Sequence, residues 1–222
     1  MENDDSFGFA HASVFLSILV AVSVTKLLDL SVRLSKSPDK RSRGLYFAWS
    51  GICLLHCFIF WWSLPAIRVG FGVGLGVALV LAITAGALYA AVELLASEPV
   101  DPEQPAPFND SSFIVTGARF YFSAAAYLIM VSVLAVTAGG STAVATVTEY
   151  GGARPIGVAL CLAGAWLSFI ERRRQLAREV ASPRIFPECA VPMKRRIYHY
   201  VIAIACIILL AGHVRVQWGR AP

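Results

Sequence analysis

The chain has 222 residues, of which 57% are hydrophobic and 15% charged, with a formal net charge of +5 and a mean hydropathy of +0.67. A soluble domain carries roughly 25% charged residues, so this chain lacks the polar side chains to cover a globule in water. Composition also excludes a disordered chain, a disulfide scaffold and a collagen-like fibre. What remains is a polytopic membrane protein.

Lipid offers no partner for backbone N–H and C=O groups, so spans are helices or strands of a closed barrel. Barrel strands alternate apolar and polar residues over about 10 positions. This chain instead has continuous apolar runs of the length a helix needs, about 20 residues for roughly 30 Å of hydrocarbon. The fold class predicted is all-α, a six-transmembrane-helix bundle forming one integral membrane domain.

The predicted spans are 12–32, 45–67, 71–96, 118–138, 155–170 and 197–216. The first follows an acidic start, Met1-Glu2-Asn3-Asp4-Asp5. A cleavable signal begins with a positive region, so this run is expected to stay as a span. The second closes on Phe58-Ile59-Phe60-Trp61-Trp62 before Pro65, an aromatic anchor for the membrane interface. The third stops at Glu98-Pro99 and the fourth at Gly139-Gly140. The fifth opens on Pro155, harmless in a first turn whose N–H groups have no helical partner. It is expected to continue out of the bilayer through Glu171-Arg172-Arg173-Arg174. The sixth ends near Val216.

Arginine and lysine next to spans favour the cytoplasmic side. With six spans, fourteen of the 19 basic residues fall on one face, including Arg33, Lys36, Lys40, Arg41, Arg43, Arg119 and the 172–196 segment. Arg68, Arg154, Arg215 and Arg220 fall on the other, and Lys26 lies within a span. The predicted topology is N-out and C-out. It permits a 3+3 inverted arrangement, although no sequence match between the halves supports one. The proline-rich loop 97–117 is acidic, which weighs little in orientation.

The basic excess sits beside span ends, where it meets anionic lipid. Groove-reading motifs are absent, so nucleic acid is not an expected partner. The expected partners are the lipid bilayer, anionic lipid at the basic loops, and a second copy or another membrane protein. Cys53, Cys57, Cys161 and Cys206 read as small buried residues and Cys189 as a free thiol in the basic loop.

Ionisable residues within spans are functional candidates by default. Here they are Lys26, Asp29, His56 and Glu93, read as ion or proton relay candidates. Ser13, Ser17, Ala21, Thr25 and Asp29 recur every four residues, a small and polar stripe expected to turn Asp29 toward the bundle interior. Lys26 is three positions from Asp29. At about 1.5 Å per residue, Lys26, Asp29 and Glu93 fall roughly 6, 10 and 13 Å below their span centres on the cytoplasmic side. They are expected to form one cluster of a cation and two carboxylates. The plainer alternative has Lys26 reaching the interface while the acids meet water. Gly70, Gly72, Gly74 and Gly76 form two overlapping small-xxx-small pairs, read as tight helix packing. His56 lacks a second histidine at matching depth for a haem clamp. No cofactor or metal is implied, and no hydrolase motif such as G-x-S-x-G or H-E-x-x-H occurs, so an enzyme is not expected.

The runs Phe15-Leu16-Ser17-Ile18-Leu19-Val20 and Lys26-Leu27-Leu28, the Phe60-Trp61-Trp62 end of the second span, Leu88-Tyr89-Ala90-Ala91 and Phe120-Tyr121-Phe122 resemble a group of small bacterial multi-pass inner-membrane proteins with no known activity. The resemblance covers roughly the first 130 residues and implies a bacterial inner-membrane location. The function expected is a small transporter or channel-like protein for ions or protons; the alternative is a non-enzymatic membrane partner or sensor subunit, and the third reading is a haem- or metal-binding membrane redox protein.

Overall fold

The computed structural model describes residues 3–36, 40–71, 75–97, 110–138, 153–181 and 193–218. Among them are six helices and no strand: α1 Asn3–Lys36, α2 Lys40–Phe71, α3 Leu75–Ala96, α4 Asp110–Ala138, α5 Ala153–Ala181 and α6 Met193–Trp218. Five stretches are long and apolar enough to cross a membrane: His11–Ser35, Arg43–Leu64, Gly76–Ala96, Thr116–Leu134 and Pro155–Arg174. In α6 the described apolar run, Ile197–Leu209, is shorter. The protein is a multi-pass, all-helical membrane protein.

The helices overrun their predicted apolar cores. α2 continues through Pro65 to Phe71, and α3 begins at Leu75 rather than at Phe71. Pro155 lies in the first turn of α5, and that helix carries on through the arginines to Ala181.

Each helix buries a seam and shows lipid its remaining faces. In α1 the buried residues are Leu16, Val20, Ser23, Leu27, Leu30 and Leu34. They alternate steps of four and three, which holds a straight line on a helix of 3.6 residues per turn. Val14, Ile18, Leu28 and Val32 occupy the opposite, exposed face. Among the described large hydrophobic residues the most exposed are Trp62, Phe122, Trp166 and Ile208, at 65–83%. An apolar exterior of this kind is a surface for hydrocarbon, since a soluble monomer rarely presents one.

Within lipid the hydrophobic effect no longer separates helix from tail, so close van der Waals contact decides which helices pair. The most extensive pairing is α4 with α5, followed by α3 with α4. α2 meets α1, α3, α4 and α6, and α6 also docks on α5. The buried line of α5 is Gly157, Cys161, Gly164, Ser168 and Glu171, again at steps of four and three. A Cβ at Gly164 would lie 3.0 Å from three ring atoms of Tyr121, and one at Gly157 would lie 3.3 Å from Leu128. These glycines let α5 settle directly onto α4.

The glycine run 70–76 does no such work at its described end. Gly70 belongs to the last turn of α2, Gly72 and Gly74 lie outside the described residues, and Gly76 opens α3. Gly76 is exposed, and a Cβ there would meet nothing within 4 Å. Gly76 makes no close contact of its own, and the packing reading of Gly70, Gly72 and Gly74 falls outside the residues whose contacts are described.

Several hydroxyls inside the spans bond back to their own helix, whereas the buried Ser50 and Ser168 hydroxyls do not. Ser23 donates to Leu19 O at 2.8 Å, Thr25 to Ala21 O at 2.9 Å, Thr84 to Val80 O at 2.6 Å and Ser132 to Leu128 O at 2.7 Å. Each spends its hydrogen bond one turn back, as an apolar medium requires.

Candidate functional site

Polar groups gather toward one end of the bundle, where α1 and α3 finish and α2, α4 and α6 begin. They form two separate arrangements.

The first is a charged seam between α1 and α3. Lys26 Nζ donates to Glu93 Oε2 across the two helices. Tyr89, one turn before Glu93, holds its ring centroid 5.8 Å from the ammonium. One turn along α1, Arg33 Nε forms an ion pair with Asp29 Oδ2 at 3.0 Å, while Arg33 Nη2 donates to Ala96 O at 3.3 Å. Arg33 thereby caps the C-terminus of α3, where carbonyls have no helical partner. Two cations and two carboxylates balance one another. Measured from the midpoints of their apolar runs, Lys26, Asp29 and Glu93 lie about 5, 9 and 10 Å toward this end.

The seam faces outward. The side chains of Lys26 and Glu93 are 36% and 43% exposed, and Asp29 is 63% exposed. The expectation that Asp29 turns inward is not met, for a geometric reason. Steps of four advance 400°, so the line Ser13, Ser17, Ala21, Thr25, Asp29 drifts about 40° per step around the helix. It begins half-buried at Ser13 and Ser17 and ends exposed at Ala21, Thr25 and Asp29. Lys26 and Glu93 are brought together. Asp29 pairs instead with Arg33 of its own helix, and His56 stands apart on α2, with its ring edge-on to Tyr127 of α4 at 5.2 Å.

The second arrangement is a buried node. Tyr121 of α4 and His199 of α6, 78 residues apart, share a hydrogen bond of 2.7 Å between the phenol oxygen and Nδ1. Their rings are parallel, with centroids 5.7 Å apart. Trp49 of α2 meets Tyr121 edge-on at 5.3 Å and Phe120 at 5.0 Å, and Tyr198 closes over His199 at 4.0 Å. Gly164 of α5 clears space for the Tyr121 ring. Tyr121 is fully buried and His199 is 4% exposed. One uncharged hydrogen-bonded pair thus ties four helices together.

Charge inside spans does not point to this node, because a tyrosine and a histidine 78 residues apart carry no shared spacing. The signals that could have flagged it are the aromatic clusters Phe120-Tyr121-Phe122 and Tyr198-His199-Tyr200, each near the start of an apolar run. Four cysteines, Cys53, Cys57, Cys161 and Cys206, are free thiols in the spans, and Cys189 lies outside the described residues. Among the described residues no three histidine, cysteine or carboxylate side chains converge to hold a metal. Compared with known proteins, the chain matches no family model, no curated sequence and no solved structure.

Proposed function

We propose that the protein is a six-span membrane protein of the bacterial inner membrane, N-out and C-out, that acts as a non-enzymatic partner subunit through its α1/α3 seam. The orientation rests on the bias of fourteen basic residues toward one face, and the location on the resemblance carried by the first 130 residues. The partner reading rests on the outward aspect of the Lys26–Glu93 pair. A charge pair at membrane depth gains little from hydrocarbon, and a transmembrane helix bearing hydroxyl, amide or carboxylate groups at matching depth would complete its hydrogen bonding. A photo-crosslinking residue at Thr25 should capture one discrete membrane chain, and the same residue at Ile208 should not. Substituting both Lys26 and Glu93 with alanine should abolish the Thr25 product. A chain that crosslinks only to lipid and purifies alone would overturn the assignment.

Ion or proton movement is the second reading, favoured by the contact of three proton-carrying groups, Lys26, Glu93 and Tyr89. It requires flux in liposomes that Glu93→Gln and Asp29→Asn abolish. Unchanged flux in both variants removes it.

A further inference from the structure

We propose that the outer face of α5 binds one anionic phospholipid, with its phosphate at Arg173 and an acyl chain laid along Phe169, Trp166 and Leu162. These four residues follow one another at steps of four, three and four, so they stand in one line on the helix. The line runs behind the buried one that α5 presses onto α4, and all four side chains are exposed. Trp166 and Phe169 stack, with ring centroids 6.3 Å apart and planes inclined by 28°. The Arg173 guanidinium carbon lies 5.0 Å from the Phe169 ring centroid. The aromatic pair and the cation therefore form one continuous surface. A guanidinium is weakly hydrated, and one packed on a ring still points N–H groups outward, where they can take a phosphate through two parallel hydrogen bonds.

Length and charge select the occupant. From Leu162 to Arg173 the helix rises about 16.5 Å, close to the roughly 15 Å of hydrocarbon in one leaflet. The apolar run Pro155–Arg174 ends at the same level as the guanidinium. Arg172 and Arg174 are also exposed and stand about 100° to either side of Arg173. Among the described residues none of these three arginines pairs with a carboxylate, whereas Arg33 of α1 is held by Asp29 and the Ala96 carbonyl. Three uncompensated cations in one turn attract an anion, and the aromatic line below them fits a hydrocarbon chain. An acidic peptide would meet the arginines and leave Trp166 bare. A zwitterionic lipid would cover Trp166 and bring its own cation to the arginines. An anionic phospholipid satisfies both ends. The site lies on a different helix from the α1/α3 seam and does not depend on which way the chain faces.

The test reconstitutes the full chain in vesicles of phosphatidylcholine and phosphatidylglycerol, with the acyl chains of one lipid brominated at a time. Bromine quenches tryptophan fluorescence only at close range, and comparison with Trp166→Phe isolates Trp166 among the five tryptophans. Brominated phosphatidylglycerol should quench Trp166 more strongly, with an association constant relative to phosphatidylcholine above about five. Arg173→Ala should lower that ratio about fivefold, the effect of one basic side chain at an anionic surface. Arg119→Ala, which removes an exposed arginine from α4, should leave it unchanged. Inorganic phosphate should lower the ratio no more than chloride at equal ionic strength. The ratio in the unaltered chain decides the matter even if a variant fails to fold. Equal quenching by the two lipids, a preference that survives Arg173→Ala, an equal loss in Arg119→Ala, or specific displacement by inorganic phosphate would overturn the proposal.

Discussion

The charged seam of α1 and α3 and the aromatic node of α2, α4, α5 and α6 solve the same problem in opposite ways. Both place hydrogen-bonding groups within a lipid-embedded bundle, toward the same end. The node is buried, and within it Tyr121 and His199 share a hydrogen bond. The seam carries four charges and stays half open. Dehydrating an ion pair completely costs several kcal/mol per ion, and the outward aspect avoids that penalty at the price of a polar stripe facing outside the bundle. Buried polarity here holds the fold, whereas exposed polarity is left for something else to contact.

The contrast predicts where stability resides. Tyr121→Ala removes a fully buried ring from the meeting point of four helices and strands His199. Its cost should be about 3–5 kcal/mol, as for other large-to-small aromatic changes in a core, read from denaturant unfolding in detergent micelles. A loss below about 1 kcal/mol would mean that the node does not organise the bundle. Tyr121→Phe isolates the hydrogen bond: the ring remains, but Nδ1 of His199 loses its partner. The expected loss is about 1–3 kcal/mol.

The seam should behave differently. Lys26→Gln and Glu93→Gln should each cost about 1 kcal/mol or less, with a coupling energy between them near 0.6 kcal/mol, typical of polar pairs between membrane helices. Their larger effect belongs on partner crosslinking at Thr25. If the seam variants unfolded the bundle as readily as Tyr121→Ala, the division between structural node and functional seam would collapse.

How much of this was legible beforehand follows from where each signal is stored. Hydrophobic run length is local, and the apolar stretches appear as helices. The meeting of Lys26 and Glu93 was readable from depth, since two opposite charges at similar heights in neighbouring spans have few other groups to choose. The direction of Asp29 was misread because small residues every four positions look like a packing stripe, while the true seam of α1 alternates fours and threes from Leu16 to Leu34. The node's aromatic clusters stand out in the sequence, but their pairing could not be read from it. Which face of α4 meets which face of α6 is decided by packing, and Gly164, the residue that admits Tyr121, looks no different in sequence from any other span glycine.

That ambiguity of glycine supplies the smallest and sharpest test. Gly164→Ala and Gly76→Ala make the same chemical change in two helices. At Gly164 the added methyl would press on three atoms of a rigid ring at 3.0 Å, so α4 and α5 must separate. Overpacking of this kind costs about 1–3 kcal/mol. At Gly76 the methyl meets open space, and alanine restricts the unfolded chain and favours the helix. Gly76→Ala should therefore be neutral or stabilising by up to about 1 kcal/mol. Opposite signs from one substitution would show that close contact at α4–α5, and not glycine content, holds these helices together. A destabilised Gly76→Ala would restore the glycine run as a packing surface and require a neighbour seated against the start of α3.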